Sequence, residues 1–302
     1  MTDRLKRPAP ELPKGLPARY SVRKHLGSGG MAHVWLAIDR RLERQVAIKS
    51  LRTRYLPDPK VRERFRREGL TAARVEHANL VPVHDVFLVD EAPYIVTGYM
   101  PGGNLLQMVR KRGVLKFEDF VRVSRGILKG LRCIHDLGVV HRDVKPANVL
   151  LDGDGDARLG DFGVAHLAEE MRITGTLEVV GTPIYMAPES LRGEPAEASS
   201  DLFSLGRTLV YAANRSVRTN QLPESFPRGL HRWLSGLLSF EPELRAASAR
   251  ECLEDFEAAL RAGTGGGGAT VGAAESLEAL LSAETVVGHS TAFRPSESSS
   301  DD

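Results

Sequence analysis

Apolar and polar positions along this chain change their period once. From Tyr20 to Thr97 the apolar residues come in short alternating runs, the pattern of half-buried strands. Tyr20, Val22 and Leu26 lead into the turn Gly27-Ser28-Gly29-Gly30. His33–Asp39 (HVWLAID) reads as a second strand, Gln45–Leu51 (QVAIKSL) as a third, and Val83–Val89 and Pro93–Thr97 as two more. One charged stretch in this half, Asp58–Val75, predicts a helix with Val61, Phe65, Leu70, Ala72 and Ala73 as its apolar positions. After the connector GYMPGGN the period lengthens. Phe117, Phe120, Val121, Ile127, Leu128, Leu131 and Ile134 fall near helical spacing, and Gly138 stops that run after Leu137. Val149–Leu151 and Ala157–Leu159 predict a small hairpin turned by DGDGD, and helices are expected near Ser200–Ala213, Arg228–Ser239 and Ser248–Arg261. The pattern predicts an α+β chain, a β-rich part followed by a mostly helical one.

The two ends fall outside this pattern. Residues up to Arg19 are rich in proline and are expected to be extended or disordered. From Gly263 to Asp302 the chain is Gly-, Ser- and Ala-rich with acidic residues, a tail beyond the folded part. A length of 302 residues suits a sizeable core in two lobes. Lys and Arg number 41 against 39 Asp and Glu, a net charge of +2, which argues against nucleic acid or an anionic membrane as the main partner. No apolar run approaches the roughly 20 residues that span a bilayer, and the charged, proline-rich start lacks the apolar core of a secretory signal. A cytoplasmic protein is expected. The two cysteines, Cys133 and Cys252, lie on predicted helices and read as reduced thiols.

The stretch Val139–Leu151, VVHRDVKPANVLL, puts His, Arg, Asp, Lys and Asn between two apolar runs. Charge in such company is costly unless it is paired or binds something, so the segment reads as a loop held for chemistry. The nearby DGDGD run superficially suggests a Ca²⁺ loop. An EF-hand needs Gly at its sixth position and Glu at its twelfth; here these are Ala157 and Gly163, so a hairpin turn is expected.

In chain order the segments LGSGGMAHV (Leu26–Val34), VAIK (Val46–Lys49), RREGL around Glu68, HRDVKPAN (His141–Asn148), DFG (Asp161–Gly163), GTPIYMAPE (Gly181–Glu189), DLFSLG (Asp201–Gly206) and EPELR ending at Arg245 resemble the protein kinases, specifically the bacterial relatives of eukaryotic serine/threonine kinases. The glycine turn alone is weak; the other motifs in this order and spacing are specific. The resemblance covers about Tyr20 to Arg261 and implies a bilobal kinase-like fold. It comprises a small antiparallel N-lobe with one main helix (20–97) and a larger helical C-lobe (98–261), with a flexible tail at 262–302.

It implies ATP and Mg²⁺ as cofactors and proteins bearing Ser or Thr hydroxyls as substrates. Asp143 would act as base and Lys145 would neutralise the moving phosphoryl group. Lys49, held by Glu68, would meet the α- and β-phosphates, and Asn148 and Asp161 would ligate Mg²⁺. Leu26, Gly27, Ser28, Gly29, Gly30, Met31, Ala32, His33, Val34, Ala47, Thr97, Tyr99, Met100 and Leu150 would surround the nucleotide. Glu189 and Arg245 resemble the family's buried ion pair. Asp201 resembles the residue that holds the catalytic-loop backbone, and Phe162 and His141 resemble its core residues. Lys145 with Thr182 is the serine/threonine pattern. Thr174 and Thr176 stand where activating phosphates occur, with Arg142 as their cationic partner. In the tail, ESLEALLSAE suggests a helix formed on a partner, and Thr285 and Ser296–Ser300 suggest phosphorylation sites.

Three departures stand out. Ala32 occupies the place of the third loop glycine, Gly98 replaces the common hinge Glu, and Tyr211–Phe226 leaves no room for a full docking helix. A pseudokinase scaffold would have lost Lys49, Asp143 or Asp161. A small-molecule phosphotransferase would lack GTPIYMAPE and the distal Arg.

Overall fold

The computed structural model of the chain describes residues 15–161 and 183–262. The chain divides into two units, Met1–Gly265 and Gly266–Asp302, and the second lies outside the described residues. Five antiparallel strands form the first sheet: β1 (Tyr20–Ser28), β2 (Ala32–Asp39), β3 (Arg44–Leu51), β4 (Val83–Val89) and β5 (Ala92–Gly98), in the order β1-β2-β3-β5-β4. β1-β2, β2-β3 and β4-β5 are sequence neighbours, while β3 pairs with β5 across the inserted helix α1 (Pro59–Ala72).

Helix α1 starts where Asp58 caps Lys60 N at 2.8 Å and Pro59 supplies a preset φ at the first position. It buries Val61, Phe65, Glu68, Gly69 and Ala72. The face differs from the one expected: Leu70 is 37% exposed and Ala73 is exposed, while Glu68 is buried. Residues 61, 65, 68 and 72 form one stripe at helical spacing, and Leu70 falls off it.

Each face of the sheet has its own apolar cluster. Val61 and Phe65 of α1 pack with Met31, Leu51, Tyr55 and Ile95 on one. On the other, Tyr20, Trp35, Ile48 and Tyr94 pack together, and Phe87 stacks between Tyr20 at 5.7 Å and Tyr94 at 5.5 Å. The expected N-terminal extension also ends early. Leu16 packs on this second cluster, and Arg19 forks onto Asp39 at 2.9 and 2.7 Å.

The helical part holds α2 (Leu105–Arg112), α3 (Phe117–His135), the short α4 (Pro188–Leu191), α5 (Ala198–Asn214), α6 (Arg228–Leu237) and α7 (Ala249–Arg261). Its core gathers Phe120, Ile127, Leu131, Leu205, Leu234 and Phe256. Helix α2 was not expected. It begins with a capping box between Asn104 and Gln107 and ends at Gly113, whose φ is 94°. A second sheet of β6 (Gly103–Asn104), β7 (Val149–Leu151) and β8 (Ala157–Leu159) contains the expected hairpin. Its turn is tied by Asp152, which accepts from Asp154 N and Asp156 N at 3.1 and 2.9 Å. Among the described residues no helix is long and apolar enough to cross a membrane.

Candidate active site

Strand alternation decides which side chains meet. Ala47 and Lys49 share a face of β3, and the register sets them opposite Thr97 and Ile95 of β5, with Val34 of β2 opposite Lys49. This face, the glycine turn, the connector after β5 and the loop before β7 line one cavity of about 760 Å³. Of the expected nucleotide-side residues, Leu26, Gly27, Ser28, Gly29, Gly30, Met31, Ala32, Val34, Ala47, Lys49, Thr97, Tyr99, Met100 and Leu150 line it. His33 does not, because alternation points it away from Val34's side. There its ring lies 6.5 Å from Trp35 and its Nδ1 is 2.7 Å from Ser28 Oγ. Gly98 has a steric reason: a Cβ there would sit 3.0 Å from Pro82 Cγ and 3.1 Å from Met100 Cε.

The loop between α3 and β7 is held from below by Asp201 of α5, 1% exposed. Its Oδ2 accepts from His141 N at 2.7 Å and from His135 Nε2 at 2.8 Å, and its Oδ1 accepts from Arg142 N at 2.7 Å. His141 is fully buried. Its Nε2 donates to Gly160 O at 3.0 Å and its Nδ1 accepts from Asp143 N at 3.2 Å, which is the neutral ring with its proton on Nε2. Burial holds this imidazole below its usual range, in agreement with that assignment.

Above this base Asp143 is fixed from two sides. Lys145 Nζ donates to its two carboxylate oxygens at 2.8 and 2.7 Å, and Asn148 Nδ2 donates to its Oδ2 at 2.8 Å and its carbonyl at 2.9 Å. Across the cavity Lys49, 9% exposed, meets Asp161 Oδ1 at 2.8 Å. Burial by itself raises the Asp161 pKa. The Lys49 ammonium outweighs it and holds the carboxyl below the usual carboxylate range. Glu68 lines the same cavity from α1, and among the described residues the ion pair at Lys49 is the one with Asp161.

The fold thus brings Asp143, Lys145, Asn148, Asp161, Lys49 and Glu68 to one cavity. Phe162, Gly163, Thr174, Thr176 and Thr182, and the tail from Gly263, lie outside the described residues. The sequence reading missed His135, and it missed Asn79, whose carbonyl accepts from Leu159 N at 2.8 Å and whose Nδ2 donates to Ala157 O at 3.0 Å. It also missed Tyr185, Met186 and Ala187, which line the cavity beyond Asp143. The only signal for these lay in GTPIYMAPE, read there as a motif and not as a wall of the site.

The protein kinase domain family matches residues 20–253. A probable serine/threonine-protein kinase of Streptomyces coelicolor is 37% identical over 289 residues, 87% of this chain and 43% of that protein. The serine/threonine-protein kinase PknL of Mycobacterium tuberculosis is 39% identical over 196 residues, 65% of this chain and 49% of that protein. The alignments span less than half the length of these curated relatives. The crystal structure of the PknI kinase domain of Mycobacterium tuberculosis superposes with a TM-score of 0.65 at 29% identity, covering 82% of this chain and all of that one. With the bilobal architecture and the motif residues gathered in one cleft, these likenesses show that the chain belongs to the protein kinase family, among the bacterial Hanks-type serine/threonine kinases.

Proposed function

We propose that the chain transfers the γ-phosphoryl group of ATP to Ser and Thr hydroxyls of proteins. The observation that carries this reading is Asp143 held between Lys145 and Asn148 in the same cavity as the Lys49–Asp161 pair. The glycine turn supports it. Among the described residues, beyond its chain neighbours, nothing lies within 4 Å of a Cβ built at Gly27, and at Gly29 the nearest such atom, Ala32 O, is 4.0 Å away. Neither glycine has a positive φ, so the fold itself does not require glycine there, whereas close approach of a phosphate does.

The donor set fits Mg²⁺. Asn148 commits its Nδ2 to Asp143, which leaves its Oδ1, and Asp161 adds carboxylate oxygens. Among the described residues no group of three or more His, Cys, Asp or Glu is arranged around a metal. Mg²⁺ suits such a site because it takes one or two protein oxygens together with phosphate oxygens. When bound it neutralises charge on those phosphates.

The chain's own residues do the rest. Asp143 accepts the proton of the incoming hydroxyl as its oxygen bonds to the γ-phosphorus and the bond to the β-phosphate oxygen breaks, releasing ADP. Lys145, already on the Asp143 carboxylate, offsets charge on the moving group. Lys49 supplies a buried cation for the α- and β-phosphates. Activation by phosphorylation at Thr174 and Thr176 belongs to the same reading, with mass spectrometry of active protein as its check.

The test is γ-labelled ATP with dephosphorylated casein, wild type beside Asp143→Asn. Wild type labels casein, and the variant falls by about 10²-fold or more. Equal labelling by the two proteins overturns the assignment of the base. No labelling by wild type overturns the function.

A further inference from the structure

Arg207 of α5 is 1% exposed. A guanidinium taken out of water needs acceptors for its donors. Here Nε donates to Ile184 O at 3.0 Å, Nη1 to Asn220 Oδ1 at 2.7 Å and Nη2 to Val217 O at 2.6 Å. Among the described residues no carboxylate pairs with it. Burial lowers its pKa. A buried cation that spends its donors on two separate stretches of chain is a brace between them.

The first stretch borders the cleft, and the second anchors it. Ile184 sits in the short 3₁₀ turn Pro183–Tyr185, and the residues that follow, Tyr185, Met186 and Ala187, line the cavity that holds Asp143 and Lys145. The other stretch, 217–220, belongs to the segment between α5 and α6, where the described residues 215–227 form no helix. Among the described residues, its backbone N–H groups at Arg218 and Gln221 bond to the neighbouring side chains Ser216 and Thr219. Bonds that tie it back to α5 come from Arg207 and from Asn214 Nδ2, which donates to Gln221 O at 2.8 Å. The nucleotide side of Asp143 is built by the glycine turn and β3, so an acceptor chain reaches Asp143 along the Tyr185–Ala187 wall.

We infer that Arg207 is a positioning residue for the acceptor polypeptide: anchored on the 217–220 segment, it holds the Tyr185–Ala187 wall in place beside Asp143. This rests on the kinase reading above. The alternative is a brace with no bearing on the acceptor, and the two differ in which kinetic constant moves.

The experiment measures KM for dephosphorylated casein, KM for ATP and kcat in Asn220→Ala, Arg207→Lys and Arg207→Met, with thermal melts of each. Asn220→Ala removes one acceptor of the brace and leaves the buried cation its two carbonyls. It should raise the casein KM about three- to tenfold while ATP KM and kcat stay within about twofold, the signature of lost uniform binding. Arg207→Lys, a cation without the fork, should raise the casein KM similarly, and Arg207→Met more. If Arg207→Met does not fold, Asn220→Ala and Arg207→Lys decide. An unchanged casein KM in both overturns the inference, as does an ATP KM that rises in step. A wild type that labels no casein overturns the kinase reading, and the inference with it.

Discussion

The carboxylate of Asp201 accepts the backbone N–H of Arg142 at 2.7 Å, and Arg142 has a φ of 65°. A non-glycine residue in that left-handed region costs about 1–3 kcal/mol and persists only where its surroundings over-determine it. Asp201 does so with two backbone bonds, at His141 and Arg142, and thereby aims Asp143. In Asp201→Asn one of those donors meets an amide nitrogen in place of an oxygen. Losing a bond to a charged group costs about 1.5–3 kcal/mol, so kcat should fall roughly tenfold to a hundredfold. Initial rates and a circular dichroism spectrum check this. A folded variant with wild-type kcat removes the aiming role.

Much of this arrangement was legible in the sequence, because Lys49, Asp143, Asn148 and Asp161 stand in motifs whose order and spacing are specific. The change of period at the GYMPGGN connector separated the two lobes for a similar reason: alternation and helical spacing are local properties. The misses were non-local or too short. Helix α2 has eight residues, fewer than a period needs to show itself. Periodicity gave Leu70 a core place that the stripe of Val61, Phe65, Glu68 and Ala72 took, since only the packed partner decides which row is inside. The tie from Asn79 to Leu159 joins residues 80 positions apart, and nothing near Asn79 announces it. For His33 the same alternation that places Val34 in the cavity carries the side chain out of it.

Arg245 forks onto Glu189 at 2.7 and 2.9 Å, with the two side chains 0% and 5% exposed. Removing one partner strands a buried charge, so Arg245→Ala or Glu189→Ala should each cost about 3–5 kcal/mol in urea unfolding. Replacing both, as Glu189→Leu with Arg245→Met, should cost less than either single change. Burial raises the Glu189 pKa, but the Arg245 and Ser200 bonds outweigh it and leave it below its ordinary 4.5. A carboxyl with a depressed folded pKa stabilises fully above its unfolded value and loses that contribution as pH falls through the folded one. The stability gap between wild type and the double variant should therefore narrow as pH falls from above the ordinary carboxylate value through the depressed folded one. A gap constant over that range contradicts the pairing.

The two thiols should react in a set order. Cys252 of α7 is fully buried, and burial pushes its thiol up to about 12, against a smaller opposing bond from Trp233. Cys133 of α3 is partly buried. Since the thiolate is the nucleophile, iodoacetamide at about pH 8 should alkylate Cys133 first and Cys252 only after unfolding. Peptide mapping by mass spectrometry reads the order, and equal rates in native protein would show that Cys252 is reached by solvent.

Two helical glycines should respond to alanine with opposite signs. Glycine in a helix interior is worse than alanine by about 0.5–1 kcal/mol, so the substitution stabilises wherever the methyl has room. At Gly236 of α6, among the described residues and apart from its own helix backbone, nothing lies within 4 Å of the new Cβ. Gly236→Ala should therefore gain a few tenths to about 1 kcal/mol, less near the helix end where fraying dilutes propensity. At Gly130 of α3 the Cβ would sit 2.8 Å from Asn79 O, a backbone atom that cannot rotate away, and 3.3 Å from Leu80 Cδ2. The Asn79 carbonyl also accepts from Leu159 N at 2.8 Å, so displacing it loosens β8 beside Gly160 and Asp161. Overpacking of this kind costs about 1–3 kcal/mol, which exceeds the propensity gain, and Gly130→Ala should lose stability on balance. Urea midpoints at constant m-value give both signs in one experiment. A Gly130→Ala protein as stable as Gly236→Ala would mean that α3 and the Asn79 turn can separate at no cost, and that their close approach does not hold the loop leading to Asp161.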